Sequence, residues 1–244
     1  MRYLSRSDLA QVAKPVLREY WKLPEAQEHP WFVDPVLLAK EVLGLTVRYR
    51  HLSLDGALLG LTSYDEAEVF LPDSEFCGPC VLDGKTVLLE CELIYAASGP
   101  GRLHFTAAHE CSHHILYRLY PEDYGSEVST RRALPYWNHP LHARRGSHDT
   151  QEWQMDVLAS ELLMPEDLVR RNLSLVGFPD GIEVLNPIWR RKDFARFDEL
   201  CRMMQVSKQA MAYRLQRLGL LRSNQMDCPM SMLDIMIEEE EMAI

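Results

Sequence analysis

The amino-acid sequence predicts an α+β fold, in which a domain with a small sheet precedes a smaller helical subdomain. Short runs of strand-forming residues are grouped between residues 45 and 91, with long helical patterns before and after them. Two shorter helical patterns occupy 194–218. A chain of 244 residues can bury the core of one large domain and hold a small one beside it. We therefore expect domains at 1–175 and 185–225, followed by an acidic, flexible tail at 226–244.

The first part of the chain carries two helical patterns. Apolar residues recur at helical spacing through 6–22, where Ser7 can cap the helix and Pro15 predicts a kink or a break. An Asp-Pro pair at 34–35 is typical of the start of a second helix. We expect that helix to stop at Gly44.

Short β-like runs come next, and two long helical patterns follow them. The β-like runs are 45–49, 57–61, 68–71 and 86–91. Uninterrupted helical patterns at 102–119 and 151–164 flank an irregular connector at 120–149, and Pro165 ends the second pattern. A connector of that length in a compact domain is more often functional than idle.

Composition limits the class of protein. The net charge of −10 argues against broad, nonspecific nucleic-acid binding by the whole molecule. No apolar run approaches the ~18–20 residues that cross a bilayer, and the charged N-terminus lacks the apolar stretch of a signal peptide. Six cysteines do not form a dense disulfide framework. We therefore expect a cytoplasmic protein with reduced thiols and no membrane partner.

Histidines are concentrated in one window, which contains the main candidate site. Seven of the nine fall between residues 104 and 148. There, His109 and His113 enclose the sequence Glu-Cys-Ser, so their imidazoles lie one helical turn apart on one face, with Cβ atoms roughly 5–6 Å apart. Two histidines so placed can bind one ion. Glu110 lies about 100° round the helix, where it can act as a general base on water.

A catalytic zinc ion needs a third protein ligand and one open position. Glu152 lies on the next predicted helix, and Asp156 shares its face one turn later. We assign Glu152 to the ion and Asp156 to a hydrogen bond with the free ring N–H of a ligand histidine. Glu161 is the rival carboxylate, but it lies on nearly the opposite helical face, and we expect it to be exposed to solvent.

Two segments carry a resemblance to a known family. One runs Arg102-Leu-His-Phe-Thr-Ala-Ala-His-Glu-Cys-Ser-His, and the other runs Glu152-x-x-x-Asp-x-Leu-Ala-Ser-x-Leu-Leu-Met-Pro. Together they resemble the ImmA/IrrE family of metallopeptidases, and the similarity extends over roughly residues 5–220. Met155, Asp156 and Leu158 depart from the residues usual in that family.

The resemblance implies a zincin-like metallopeptidase domain at 1–175. His109, His113 and Glu152 would hold one Zn²⁺ per chain, with Mn²⁺ as the alternative metal, and Glu110 would be the base in peptide-bond hydrolysis. It further implies a protein substrate, such as a DNA-bound repressor whose cleavage releases stress-response or mobile-element genes.

The C-terminal helices resemble a helix-turn-helix. The segment 190–222 carries about +6, against about −16 for the rest of the chain. Lys208, Arg214 and Arg217 are the candidates for contacts with DNA or with a partner protein. Because the whole molecule is acidic, we favour packing or substrate docking over DNA binding. The rival function is a transcriptional regulator with a structural or vestigial metal site, whereas an intact Glu110 favours the enzyme.

An oxyanion formed during hydrolysis needs a hydrogen-bond donor, for which the connector offers several side chains. The sequence does not choose among the candidates, which are Tyr120, Tyr124, His139, His142 and His148.

Other residues receive a plainer interpretation. We expect His104 to be partly exposed and His114 to point away from the ion. The sequence Cys77-Gly-Pro-Cys80 matches the thioredoxin motif, but a strand rather than a helix follows it, so we expect a loop with two thiols.

Overall fold

Helices and short strands share this chain, in agreement with the predicted α+β class. The computed structural model describes residues 2–72, 79–96, 99–124 and 147–230, with the backbone alone at 147–149. The chain divides into two compact units, Met1–Pro165 and Glu166–Ile244. The boundary falls inside the first predicted domain, so the helix that follows Pro165 belongs to the second unit.

The first unit contains the small sheets and the long helices. Its helices in the described residues are α1 (Arg6–Tyr20), α2 (Pro24–Glu28), α3 (Pro35–Leu37), α4 (Gly101–Leu119), α5 (Pro121–Tyr124) and α6 (Ser147–Leu163). Its strands there are β1 (Thr46–Arg50), β2 (Gly60–Thr62), β3 (Glu66–Val69), β4 (Cys80–Asp83) and β5 (Thr86–Glu90). A π-helical turn at Leu38–Val42 continues α3, and a 3₁₀ turn at Cys91–Tyr95 follows β5. Each β-like run of the sequence thus overlaps a strand.

Helix α1 differs from the prediction in its cap and in its continuity. The cap is Ser5, whose hydroxyl accepts from the Asp8 N–H while the Asp8 carboxylate accepts from the Ser5 N–H. The prediction of Ser7 as cap is therefore wrong, because Ser7 lies inside the helix. The helix also continues through Pro15. Burial of an apolar face holds it together across the lost hydrogen bond, through Leu9, Ala13, Leu17 and Tyr20.

The start and stop of the next helical segment are as predicted. Asp34 Oδ1 accepts from the N–H groups of Val36 and Leu37, at 2.8 and 3.1 Å. The Asp34 N–H donates in turn to the Tyr20 hydroxyl at 2.9 Å, which ties the end of α1 to the start of α3. The chain leaves the π-helical turn through Gly44, whose φ of +65° suits glycine.

Strand β5 is the centre of a three-stranded sheet of order β1-β5-β2. It runs parallel to β1 and antiparallel to β2, and all five of its residues are buried. One face packs on a leucine cluster that includes Leu61 and Leu88, while α4 packs against β2 and β5. Burial on both faces explains the nearly continuous apolar run that marks β5 in the sequence.

A second, two-stranded sheet joins β3 and β4 in antiparallel pairing. Leu82 of β4 enters the leucine cluster with none of its side chain exposed, and Cys80 packs at its border. Cys80, which the sequence predicts to lie in a loop, is the first residue of β4.

Helices α4 and α6 pack along each other, and α1 packs on α6. The contact is fixed from the side by Gln154, whose buried Oε1 accepts from the Leu4 N–H at 2.8 Å and lies 3.1 Å from the Tyr124 hydroxyl. One side chain of α6 therefore anchors both the N-terminal segment and α5. This pair of helices is the scaffold of the candidate site.

The second unit is mainly helical. Its elements are α7 (Glu166–Leu175), β6 (Ile182–Leu185), α8 (Arg191–Met203), α9 (Lys208–Arg217) and β7 (Leu221–Asn224), with β6 and β7 paired in parallel. Helices α8 and α9 match the two short patterns of the sequence. Ser207 caps α9 by accepting from the Ala210 N–H. None of the helices in the described residues is long and apolar enough to cross a membrane.

Strand β2 lies so close to α4 that only glycine fits at residue 60. A Cβ there would be 2.5 Å from Glu110 Oε1 and 2.7 Å from Thr106 Cγ2. We expect Gly60→Ala to lower the free energy of unfolding by about 1–3 kcal/mol, because the strand or the side chains beneath it must move. Chemical denaturation of parent and variant measures the change. In a Glu110→Ala background, which removes one of the two close contacts, the same substitution should cost less. An equal cost in both backgrounds would contradict the contact with Glu110.

Candidate metal centre

Three side chains from two helices converge at one point of the first unit. His109 and His113 come from α4 and Glu152 comes from α6, and one ligand atom of each lies within 4.8 Å of the others. His109 Nε2 is 3.2 Å from Glu152 Oε2, and His113 Nε2 is 3.8 Å from Glu152 Oε1. Ligands at ~2.0–2.1 Å from a tetrahedral ion are themselves about 3.3–3.4 Å apart. The donor atoms of the three residues thus fit a zinc-like cation.

The other ring nitrogen of each histidine has a partner. His109 Nδ1 is 2.9 Å from Asp156 Oδ1, the contact that the sequence predicts for Asp156. His113 Nδ1 is 3.0 Å from the Tyr64 hydroxyl. With its proton on Nδ1, each ring donates to that partner and directs the lone pair of Nε2 toward Glu152. Both contacts hold the ring orientation that a metal ligand needs, and the Asp156 carboxylate, which only accepts, selects the tautomer of His109 with its proton on Nδ1.

Tyr64 is the site residue that the sequence analysis missed. It lies in the connection between β2 and β3, where no motif marks it. Its ring stacks on Tyr117 with centroids 4.4 Å apart and meets the ring of His114 edge-on. Burial, followed by the nearby carboxylates of Glu110 and Glu152, holds the Tyr64 pKa well above its usual range. The hydroxyl therefore keeps its proton at neutral pH.

Electrostatics at His109 favour positive charge. The ring is 1% exposed, and burial alone would lower its pKa. Hydrogen bonds with the carboxylates of Asp156 and Glu152 outweigh burial and raise the His109 pKa to about 10. The two carboxylates thus stabilise positive charge on or beside this ring, which is what a divalent cation supplies.

Glu110 lies beside the three candidate ligands and is almost completely buried. Burial raises the pKa of its carboxyl to about 7, with Glu152 adding to the effect and His109 opposing it. A carboxyl with a pKa near 7 can both accept and release a proton close to neutral pH. Its oxygen also faces the backbone of Gly60, so β2 forms one wall of its surroundings.

The two remaining histidines of α4, His104 and His114, are buried and contact other side chains. His114 is buried and hydrogen-bonded to the Thr62 hydroxyl, and burial, followed by repulsion from His113, lowers its pKa to about 3. It lies outside the group of candidate ligands, as expected. The expectation of a partly exposed His104 is wrong, because this ring is 7% exposed and stacks on Phe32 at 6.1 Å between centroids.

Glu161, the rival carboxylate, also lies outside the group of candidate ligands. It is partly buried rather than fully exposed, which corrects the expectation from its helical angle. The spacing along α6 predicts its face, whereas its burial depends on what covers that face.

The two connector tyrosines among the oxyanion candidates, Tyr120 and Tyr124, contact the N-terminal segment. The Tyr124 side chain is fully buried, and its hydroxyl lies 3.3 Å from the Arg2 carbonyl oxygen and 3.1 Å from Gln154 Oε1. The Tyr120 ring packs under the Arg2 guanidinium at 4.6 Å. Tyr124 already uses its hydroxyl in these contacts, whereas the role of Tyr120 as an oxyanion donor stays a prediction. His139, His142 and the side chain of His148 lie outside the described residues.

The predicted basic contacts of the second unit are only partly on its surface. Arg214 is 3% exposed, so its assignment to DNA or a partner is wrong, because α9 turns this position inward with Met211 and Leu215. Lys208 forms an ion pair with Asp198 at 2.8 Å and is half exposed. Arg217 lies on the exposed face of α9. The exposed positive charge is thus smaller than the sequence implies.

The thioredoxin-like motif leads into a strand. Cys77 and its glycine lie outside the described residues, and Cys80 begins β4 rather than a helix. Four cysteines of the described residues are free thiols, namely Cys80, Cys91, Cys111 and Cys201.

Comparison of the chain with models of known protein families, and with curated proteins, found no match. The resemblance to the ImmA/IrrE metallopeptidases therefore remains a prediction carried by the two site segments.

Tyr64 provides a test of how the site is held. We expect Tyr64→Phe to weaken zinc affinity by about 10–100-fold, because His113 loses the partner of its Nδ1. Competition with a chromophoric chelator measures the affinity. Tyr95→Phe is the control, since Tyr95 is 85% exposed and should not change it. Equal affinities for Tyr64→Phe and the parent would remove Tyr64 from the site.

Proposed function

We propose that this chain is a zinc-dependent endopeptidase with a zincin-like catalytic domain. The observation that supports it is the buried Glu110 beside His109, His113 and Glu152. Among the described residues three ligands converge, which leaves one coordination position open, whereas a structural zinc site is usually closed by a fourth ligand. A buried carboxyl beside the ligands has a use in hydrolysis, as a proton acceptor, and none in a structural site.

The residues divide the chemistry among them. A zinc ion held there would supply a Lewis acid that polarises a peptide carbonyl and acidifies water. Glu110 accepts the proton of the attacking water and later delivers it to the leaving amine. Asp156 and Tyr64 keep the histidine rings oriented through their Nδ1 atoms.

The edge of β2 supports a peptide as substrate. In the described residues no strand pairs with the outer side of β2. The Leu59 carbonyl accepts from the Glu90 N–H, so by antiparallel alternation Leu61 also faces β5, and Gly60 and Thr62 turn their backbone groups outward. An extended peptide can add to such an edge by main-chain hydrogen bonds. Because Gly60 touches Glu110, the peptide would lie beside the base.

The substrate class comes from the sequence resemblance. We propose a protein substrate, with a repressor-like transcription factor as the expected type. The rival function, a DNA-binding regulator with a vestigial metal site, loses support because Arg214 is buried and Lys208 is paired with Asp198.

Removing the third ligand tests the metal assignment. We expect Glu152→Ala to lower the zinc content by about one ion per chain, because the first coordination shell loses its carboxylate. Elemental analysis after dialysis measures the content. Glu161→Gln changes a carboxylate about two and a half turns along the same helix, on the opposite face, and should leave the zinc content unaltered. If Glu152→Ala retains as much zinc as the parent, another residue is the third ligand.

Removing the base separates metal binding from catalysis. We expect Glu110→Gln to keep its zinc while kcat/KM for peptide cleavage falls by at least about 10²-fold, the lower end of what a general base contributes. Mass spectrometry of new N-termini in a proteome-derived peptide library measures the cleavage, with Glu161→Gln again as control. Cleavage at the parental rate would show that Glu110 is not the base.

A further inference from the structure

The carboxyl ends of β1 and β5 bring together a second group of metal-binding side chains. The two strands are parallel neighbours, and Arg50 is in register with Glu90. The residues that follow, His51 and Cys91, therefore emerge next to each other at the same edge of the sheet. An imidazole, a carboxylate and a thiol thus meet at a place that the candidate peptidase site does not use.

The three donor atoms form a triangle of the size that a tetrahedral cation requires. His51 Nδ1 is 3.2 Å from Glu90 Oε1, and Cys91 Sγ is 3.3 Å from His51 Nδ1 and 3.4 Å from Glu90 Oε1. Zinc bonds of ~2.0–2.1 Å to nitrogen and oxygen and ~2.3 Å to sulfur place such atoms about 3.4–3.6 Å apart. Each observed separation is within a few tenths of an ångström of that value.

The carboxylate is already fixed and charged. The Glu90 side chain is 4% exposed, and its Oε2 accepts from the Leu52 N–H at 2.8 Å while Oε1 accepts from the Glu92 N–H at 3.3 Å. A ligand held in this way loses little side-chain freedom when a cation binds.

The group opens on an acidic cavity. His51 and Glu90 line a cavity of about 490 Å³, together with the carboxylates of Asp55 and Glu92. Three carboxylates around one imidazole attract cations into this cavity. Its volume leaves room for a further ligand opposite the three side chains.

We propose that His51, Glu90 and Cys91 form a second metal site, for a thiophilic divalent cation such as Zn²⁺, with its fourth position open to the acidic cavity. Binding replaces the Cys91 S–H proton, which passes to solvent, with a metal–thiolate bond. A mixed sulfur, nitrogen and oxygen donor set favours zinc-like metals over Mg²⁺ and Ca²⁺. This site shares no residue with the peptidase centre and does not depend on the proposed function.

Cobalt distinguishes the two sites because only the second contains a thiolate. Titration of the metal-free, reduced full-length protein with Co²⁺ should give about two bound ions per chain and a sulfur-to-cobalt charge-transfer band. Binding of about one ion without that band would overturn the proposal. The decisive reading is made on the parent protein, so it does not depend on whether a variant folds.

Four variants locate the band. Cys91→Ser should abolish it and His51→Ala should weaken the binding that produces it, since each removes one ligand. Cys80→Ser, the matched control on β4, should leave it unchanged. Glu152→Ala should lose one ion but keep the band, which separates this proposal from the first site. A band that persists in Cys91→Ser would assign the thiolate to another cysteine and overturn the proposal.

Discussion

The clamp on His109 is the interaction on which the rest of the first unit's chemistry depends. Its buried ring meets two carboxylates of α6, Glu152 at one nitrogen and Asp156 at the other. Since these carboxylates lie one turn apart, the ring can reach both only when α4 and α6 have one particular register. That register also sets how far His113 lies from Glu152 and places Glu110 beside them.

The two carboxylates that contact His109 also concentrate negative charge beside the buried carboxyl of Glu110. Burial, together with repulsion from Glu152, raises the Glu110 pKa to about 7. Close contact with the Gly60 backbone leaves this carboxyl little space. A divalent cation between His109, His113 and Glu152 would relieve the repulsion, so the stability of the site and its affinity for metal come from one electrostatic arrangement.

The three-stranded sheet contributes to both candidate sites. One face of β2 lies against Glu110 at Gly60, and at the carboxyl ends of β1 and β5 lie His51, Glu90 and Cys91. A backbone hydrogen bond from the Glu90 N–H to the Leu59 carbonyl connects the group of His51, Glu90 and Cys91 to the residue before Gly60. Parallel neighbours end at the same edge, so the pairing of β1 with β5 creates the second group.

Local spacing in the sequence determined which residues share a helical face. It predicted the α+β class, the Asp34 cap and the two four-residue spacings that place His109 with His113 and Glu152 with Asp156. Periodicity does not say what covers a face, because that depends on segments far apart in sequence. Only the tertiary structure therefore shows that Arg214 and His104 are buried. It also places Tyr64, from the connection between β2 and β3, and Gly60, from β2, against helix α4. Strand pairing likewise determines that 80–83 forms β4 and that His51 lies beside Glu90 and Cys91 at the end of β5. Such pairing joins segments distant in the sequence, so no local pattern encodes it.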